Sequence, residues 1–385
     1  MNRTFFFFAV LISCLLNVFN VSAQKLNKQS AAQLVMSAYA HEASLQKQYA
    51  EEIWTNKQVK YGDYLMKFEY RKLGDKPAGG RSLYISMHGG GNTSPKANDQ
   101  QWKNQISLYT PAEGIYLAPR APTDTWNLWH EDHIDTMFLQ IIKAAVLMEE
   151  VNPNRVYVMG YSAGGDGTFQ IASRMADHWA AAAMMAGHPG DAAALNLRNL
   201  PFAIYMGGAD GAYKRNELAA VWGEKLDSLE STEPGSFKHD VHIYEGMPHW
   251  MSRKDTVAVP WMASFTRNPL PKKVAWKQDD RHHDTFYWLG VPISEAKTGA
   301  ESIVSISGNV ISVEKNEHTE LHIYLNDILL DLDKKVKVLH NGEVVFNGKV
   351  PRSAGLITQT AKRLDPDFIF TAMLTLKAGK VFYYK

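Results

Sequence analysis

The chain has 385 residues, 45% hydrophobic and 21% charged, with 41 basic side chains against 40 acidic ones. That length admits about two domains, and a net charge of +1 gives no electrostatic case for binding nucleic acid. Cys14 is the one cysteine, so a chain cut after Ala23 has none, which excludes disulfides, thiolate metal sites and a cysteine nucleophile.

Residues 1–23 carry the pattern of a signal peptide. Arg3 supplies the positive start, residues 5–19 are mostly apolar, and Val21-Ser22-Ala23 is a small-residue cleavage site before Gln24. The stretch is too short and too interrupted for a transmembrane span. The expected location is secreted or periplasmic. A second reading takes Leu11-Ile12-Ser13-Cys14 as a lipobox and anchors the chain through a lipid on Cys14.

Residues 24–59 form an N-terminal helical segment, in which Ala31, Leu34, Val35, Ala38, Tyr39 and Leu45 recur at spacings of three and four. Strands are expected over 64–70 and 82–87, with a turn at residues 75–80 between them. His88-Gly89-Gly90-Gly91 ends the second strand. Its glycines let backbone N–H groups approach a ligand closely, and Gly90 is the candidate donor to an oxyanion. A third strand over 114–120 runs into a loop bearing Trp126, Leu128, Trp129, His130 and His133. Trp126 and Trp129 are candidate substrate contacts; the alternative is that they tuck against the core. His130 and His133 have a ligand-like spacing, but no third ligand motif accompanies them, so no metal is expected. A helix over 134–150 stops before Asn152-Pro153.

The rest of the chain is organised around residues 155–167, RVYVMGYSAGGDG. An apolar β-type run leads into Gly160-Tyr161-Ser162-Ala163-Gly164, and a helical period follows over 168–176. Strand, Gly-x-Ser-x-Gly and helix in that order are the setting of a nucleophile elbow. Ser162 is the candidate nucleophile, and the N–H of Ala163 is the candidate second oxyanion donor. A strand over 201–206 is followed by Gly207-Gly208-Ala209-Asp210, and a helix over 217–229 follows. The last strand of the series, 239–244, leads to Gly246-Met247-Pro248-His249-Trp250. Asp210 and His249 therefore complete a triad in the chain order Ser, Asp, His, a setting that Asp191, Asp227 and Asp240 lack. Trp250 is a third candidate substrate contact.

Strands separated by helical stretches across 60–268 imply a mainly parallel sheet with helices on both faces. The composition then changes. Residues 269–273 are a Pro-containing linker, and 274–385 read as an all-β, sandwich-like accessory domain with short β-type runs and a hairpin signal at Asn341-Gly342. Asp327, Asp331 and Asp333 lack the spacing of a calcium loop and read as solvated or capping groups.

With these motifs in place, residues 60–268 resemble an α/β-hydrolase. More narrowly they are similar to secreted esterases of the poly(3-hydroxybutyrate) depolymerase, feruloyl esterase and dienelactone hydrolase-like group. The resemblance implies ester hydrolysis without a cofactor, with Ser162 as nucleophile, His249 as base and Asp210 as orienting acid. The substrate would be a small-molecule, carbohydrate-linked or polymer ester. Two other readings share these residues: a serine peptidase of the prolyl oligopeptidase kind, and a catalytically inactive binding protein. The oligomeric state stays open.

Overall fold

The computed structural model describes residues 25–384. The segment read as a signal peptide, with Cys14, lies outside the described residues. Among the described residues, no helix is long and apolar enough to cross a membrane.

Helix α1 (Lys28–Asn56) starts at a capping box in which Asn27 and Ser30 satisfy each other's backbone N–H. Lys57, in the left-handed region, ends it, and the chain turns into β1 (Gln58–Tyr61) and β2 (Tyr64–Leu73). Then follow β3 (Arg81–Met87), α2 (Pro95–Ile106), β4 (Gly114–Arg120), α3 (Asp132–Glu149), β5 (Val151–Tyr161), α4 (Ala163–Arg174), β6 (Ala181–Met185), β7 (Phe202–Gly207), α5 (Arg215–Thr232) and β8 (His239–Tyr244). The strands form one eight-stranded sheet in the order β1-β2-β4-β3-β5-β6-β7-β8. The β1–β2 and β2–β4 pairs are antiparallel; every pairing from β4 to β8 is parallel. This is the expected α/β-hydrolase fold.

Alternation along the strands divides the core. Leu83, Ile85, Ile115, Leu117, Val156 and Val158 point to one face, with Phe169 of α4 and Trp222 of α5. Tyr84, Tyr116, Tyr157 and Met159 point to the other, where Tyr109 and α6 (Ala258–Ala263) cover them.

After α6 the chain forms β9 (Lys273–Lys277), β10 (Thr285–Phe286), β11 (Leu289–Gly290), β12 (Glu301–Ser307), β13 (Val310–Asn316), β14 (Glu320–Leu325), β15 (Val336–His340), β16 (Glu343–Gly348), α7 (Ala354–Ala361), β17 (Ala372–Lys377) and β18 (Lys380–Tyr383). They make two five-stranded sheets, β10-β11-β14-β17-β18 and β16-β15-β13-β12-β9. Asn341 and Gly342, both at positive φ, close the β15–β16 hairpin. Asp327 and Asp333 both pair with Arg352. Helix α7 is an addition to the β pattern expected here. Ser353 caps it, and its apolar face (Ile357, Ala361) packs with Leu26 and Ala31 beside α1.

The C-terminal β unit is fastened to the first face of the main sheet. Trp276, Trp288 and Leu289 belong to the same apolar cluster as Phe169 and Ala172 of α4. The Asn196 amide bonds the backbone of Lys277 in both directions, at 2.9 and 2.7 Å. Arg267, buried, pairs with Asp365 at 2.7 Å. Removing one partner of such a buried pair costs about 3–5 kcal/mol, because the other charge is left unpaired.

Candidate active site

Strand β5 ends at Tyr161, and α4 begins at Ala163. Ser162 alone makes the turn, at φ 58° and ψ −121°. That is a strained conformation for a residue with a side chain. It is held by the Ser162 N–H donating to the Met185 carbonyl at 2.9 Å and the Ser162 carbonyl accepting from the Asp166 N–H at 2.9 Å. A Cβ on Gly160 would overlap the Gly164 carbonyl oxygen, and one on Gly164 would overlap that of Met87. The small residues on either side of Ser162 are thus required by backbone crowding.

Asp210 and His249 arrive on the loops after β7 and β8. His249 Nε2 lies 3.0 Å from Ser162 Oγ, and His249 Nδ1 lies 2.6 Å from Asp210 Oδ2. Asp210 is buried at 3% exposure. A carboxylate facing Nδ1 keeps the proton there and leaves Nε2 as the acceptor for the serine hydroxyl. Asp210 is fixed by its own turn: its N–H donates to the Gly207 carbonyl, and its carbonyl accepts from the Asn216 N–H. Arg215 Nη1 stands 3.9 Å from its other oxygen. Tyr161 secures the histidine loop. Its hydroxyl donates to the His249 carbonyl at 2.6 Å and accepts from the Met251 N–H at 3.0 Å. Burial raises the Tyr161 pKa, so this hydroxyl keeps its proton.

The glycine loop lies across Ser162. A Cβ on Gly89 would stand 3.0 Å from Ser162 Cβ. His88 sets the loop's orientation from beneath. Its Nε2 accepts the Ala121 N–H at 3.1 Å, so Nδ1 carries the proton and donates it to the Gly89 carbonyl at 2.6 Å. In a trans peptide the C=O and N–H point opposite ways. Tying down the Gly89 carbonyl therefore turns the Gly90 N–H away from the His88 ring. The Gly91 N–H is taken by Asn98 Oδ1 at 2.9 Å. Burial lowers His88 to about 4, which keeps the ring neutral and its donor and acceptor roles distinct. Ala163 is the first residue of α4, so its N–H belongs to the helix N-terminus, where backbone donors and the helix dipole favour negative charge.

A cavity of about 650 Å³ opens over these groups. Ser162, His249, Tyr161, Gly89 and Gly90 form one part of it; Gln101, Asn104 and Gln105 of α2, with Leu108 just beyond, form the facing wall; Trp250 lies beside His249. Trp250 is half exposed, and its ring sits 5.5 Å from Tyr161. The other two tryptophans fall elsewhere. Trp129 is fully buried beneath the glycine loop, donating its indole N–H to the His88 carbonyl at 3.0 Å. It is a support of the loop, and the expectation that it contacts substrate is corrected. Trp126 is exposed and edge-on to His130, its backbone packs against Gly91, and it lies outside the cavity lining. His133 stacks on Tyr64 at 3.8 Å. Among the described residues, no group of three or more His, Cys, Asp or Glu is arranged to hold a metal ion.

The supporting roles of His88 and Tyr161, and the amides of α2, escaped the sequence reading. His88 adjoins the glycine motif and Tyr161 sits inside the elbow motif, so their positions carry a signal. Their partners, Ala121 and Met251, lie too far along the chain to be inferred.

Residues 117–279 match the dienelactone hydrolase family. That stretch runs from β4 through the elbow, Asp210 and His249 to β9. No curated protein sequence matches the chain. Among solved structures, a thermostable esterase aligns at 18% identity and a TM-score of 0.43 over 55% of this chain, and this chain spans 62% of that enzyme's length. A ferulic acid esterase aligns at 13% identity and a TM-score of 0.39, over 54% of this chain and 95% of its own. Dipeptidyl peptidase 4 of Porphyromonas gingivalis aligns at 13% identity and a TM-score of 0.39, over 54% of this chain and 35% of its own.

Proposed function

We propose that the chain is an exported serine hydrolase that cleaves carboxylic esters through an acyl-enzyme. The observation that carries this reading is the continuous relay from Ser162 Oγ to His249 at 3.0 Å and from His249 to Asp210 at 2.6 Å. In the first step His249 Nε2 takes the hydroxyl proton as Ser162 Oγ attacks the ester carbonyl. The negative oxygen that forms is held by the N–H groups of Ala163 and Gly90. His249 then returns the proton to the departing alcohol. Water, deprotonated by the same ring, releases the acid and restores Ser162. Asp210 holds the imidazole in its tautomer and stabilises its cation. The family match of residues 117–279 supports ester rather than amide chemistry.

The test is hydrolysis of p-nitrophenyl acetate together with labelling by a fluorophosphonate probe, in the wild type and in Ser162→Ala. The variant should lose about four to six orders of magnitude of turnover and all labelling while unfolding at the same temperature. Turnover within about tenfold of wild type would remove Ser162 from the mechanism. For export, the N-terminus of the secreted product should be Gln24; an acylated Cys14 would instead establish the lipid anchor.

A further inference from the structure

We propose that the alcohol part of the ester is a neutral sugar, bound between the amide face of α2 and Trp250. The inference rests on the serine-esterase reading and names its substrate class.

The wall facing Ser162 is unusual in chemistry. Gln101, Asn104, Gln105 and Leu108 follow one another at helical spacing, so one stripe of α2 and its extension faces the cavity. Three of these four positions are carboxamides. Each carboxamide offers N–H donors and a carbonyl acceptor side by side, which matches a hydroxyl that both donates and accepts. The row is held in place by its neighbours. Gln105 donates to Ser86 Oγ at 2.7 Å, and Asn104 Oδ1 accepts from Gln100 at 2.9 Å. The stem of Gln101 leans over Gly90, 3.5 Å from where a Cβ would stand. It therefore sits at the mouth of the oxyanion loop.

What is missing from the lining narrows the class further. Among the described residues, no Lys, Arg, Asp or Glu lines the cavity. A carboxylate or phosphate on the substrate would be desolvated there without a counter-charge. A purely apolar acyl or aryl group would cover the exposed amides of Gln101 and Asn104 without satisfying them. The apolar part of the lining is the half-exposed Trp250 indole beside the Tyr161 ring, with Leu108 at the far end. A polyhydroxylated ring has both surfaces, hydroxyls at its edge and C–H groups on its face, and an aromatic ring is a ready platform for the latter.

The position of His249 assigns the sugar to the alcohol side. The leaving oxygen must come within hydrogen-bond reach of His249 Nε2 to be protonated. Trp250 is the next residue and borders the same cavity, so the group attached to that oxygen lies against it. The volume, about 650 Å³, is far beyond what an acetyl group needs and falls in the usual range of small-molecule sites.

The test compares esters with the same acyl group and alkyl leaving groups of similar reactivity: ethyl acetate against mono-acetylated methyl glycosides of the gluco, galacto and xylo series. At least one glycoside ester should exceed ethyl acetate in kcat/KM by about 30-fold or more, from two to three hydrogen bonds each contributing about three- to tenfold. In Gln101→Leu/Asn104→Leu that preference should fall by about tenfold or more. Trp250→Ala provides the same readout if the double variant does not fold. If every glycoside ester lies within about threefold of ethyl acetate while p-nitrophenyl acetate is hydrolysed and Ser162 is labelled, the sugar assignment is overturned and the esterase reading stands. If nothing is hydrolysed and Ser162 is not labelled, both are overturned.

Discussion

Replacing His88 with phenylalanine tests the glycine loop, and the oxyanion role proposed for it, from its foundation. The change keeps a flat ring against Trp129 but removes both nitrogens. The Gly89 carbonyl loses the donor at 2.6 Å, and the buried Ala121 N–H loses the acceptor at 3.1 Å. Each orphaned group costs about 1–3 kcal/mol, so the variant should be roughly 2–6 kcal/mol less stable at pH 7. The deficit should depend on pH in a defined direction. Folded His88 stays neutral down to about 4, whereas its ordinary value is 6.5. Between those values the unfolded chain binds the extra proton. The stability of the neutral ring is therefore complete above pH 6.5 and is lost as pH falls towards 4. At about 1.4 kcal/mol per unit the whole difference is about 3 kcal/mol, of which roughly 2 kcal/mol is gone by about pH 5. The variant has no ring to titrate, so its deficit relative to wild type should shrink by that amount. Urea unfolding at the two pH values measures it. With the Gly90 N–H no longer aimed, kcat on p-nitrophenyl acetate at neutral pH should fall by about 10- to 100-fold. A kcat within about twofold of wild type, or a stability gap that does not narrow in acid, would refute this account of the loop.

Gly160→Ala places a methyl group on the Gly164 carbonyl oxygen, a backbone atom that cannot swing aside. Circular dichroism and turnover should show either loss of the soluble fold or more than about a 100-fold loss of activity. Tyr161→Phe removes the hydroxyl that bridges the His249 carbonyl and the Met251 N–H, so kcat should drop by about tenfold with KM little changed, as the imidazole loses its fixed position. His283→Ala probes the clasp between the two parts of the chain. His283 lies 2.9 Å from Asp135, whose carboxylate raises its pKa against the opposing effect of burial. A raised value stabilises the fold at low pH and loses that contribution as pH rises through it, so the gap between wild type and variant should be largest in mild acid and shrink in alkali. A gap that grows with pH would refute the pairing.

The convergence of Ser162, His249 and Asp210 is legible in the sequence because each follows the end of a strand and is marked by glycines. Ser162 follows Gly160, Asp210 follows Gly207-Gly208, and His249 follows Gly246. Parallel strands buried on both faces read as unbroken apolar runs, so their positions are legible too. Helix α2 is not. PKANDQQWKNQI offers only Trp102 and Ile106 as large apolar residues, and the face it turns to the cavity is made of amides. A polar face towards a concave site looks, in one dimension, like a surface loop. Trp129 fails for the opposite reason. Its neighbour Trp126 is exposed and it is buried, and what decides between them is the distant His88 carbonyl. Helix α7 is short, and its apolar face is recognisable only once α1 lies beside it.

The C-terminal β unit bears on this chemistry without touching the cavity, whose lining ends at Trp250. Its contacts converge instead on the far end of α4 and the turn after it. Arg174, the last residue of α4, is held by Asp135 at 2.6 Å, and Asp135 is also held by His283. Asp177 accepts the Tyr287 N–H at 3.1 Å, and the Tyr287 hydroxyl donates to the Ala176 carbonyl. Helix α4 has 12 residues, about 18 Å of rigid rod. Ser162 and Ala163 stand at one end of that rod, and the β unit grips the other. Loosening the grip would tilt Ser162 and Ala163 together, since both stand at the start of the same helix. The loss would then appear in kcat for every ester alike. A unit that worked by holding substrate would instead spare small esters and penalise bulky ones. The contacts at Arg174, Asp177 and Tyr287 favour the first behaviour, in which the C-terminal sheets act by positioning the elbow.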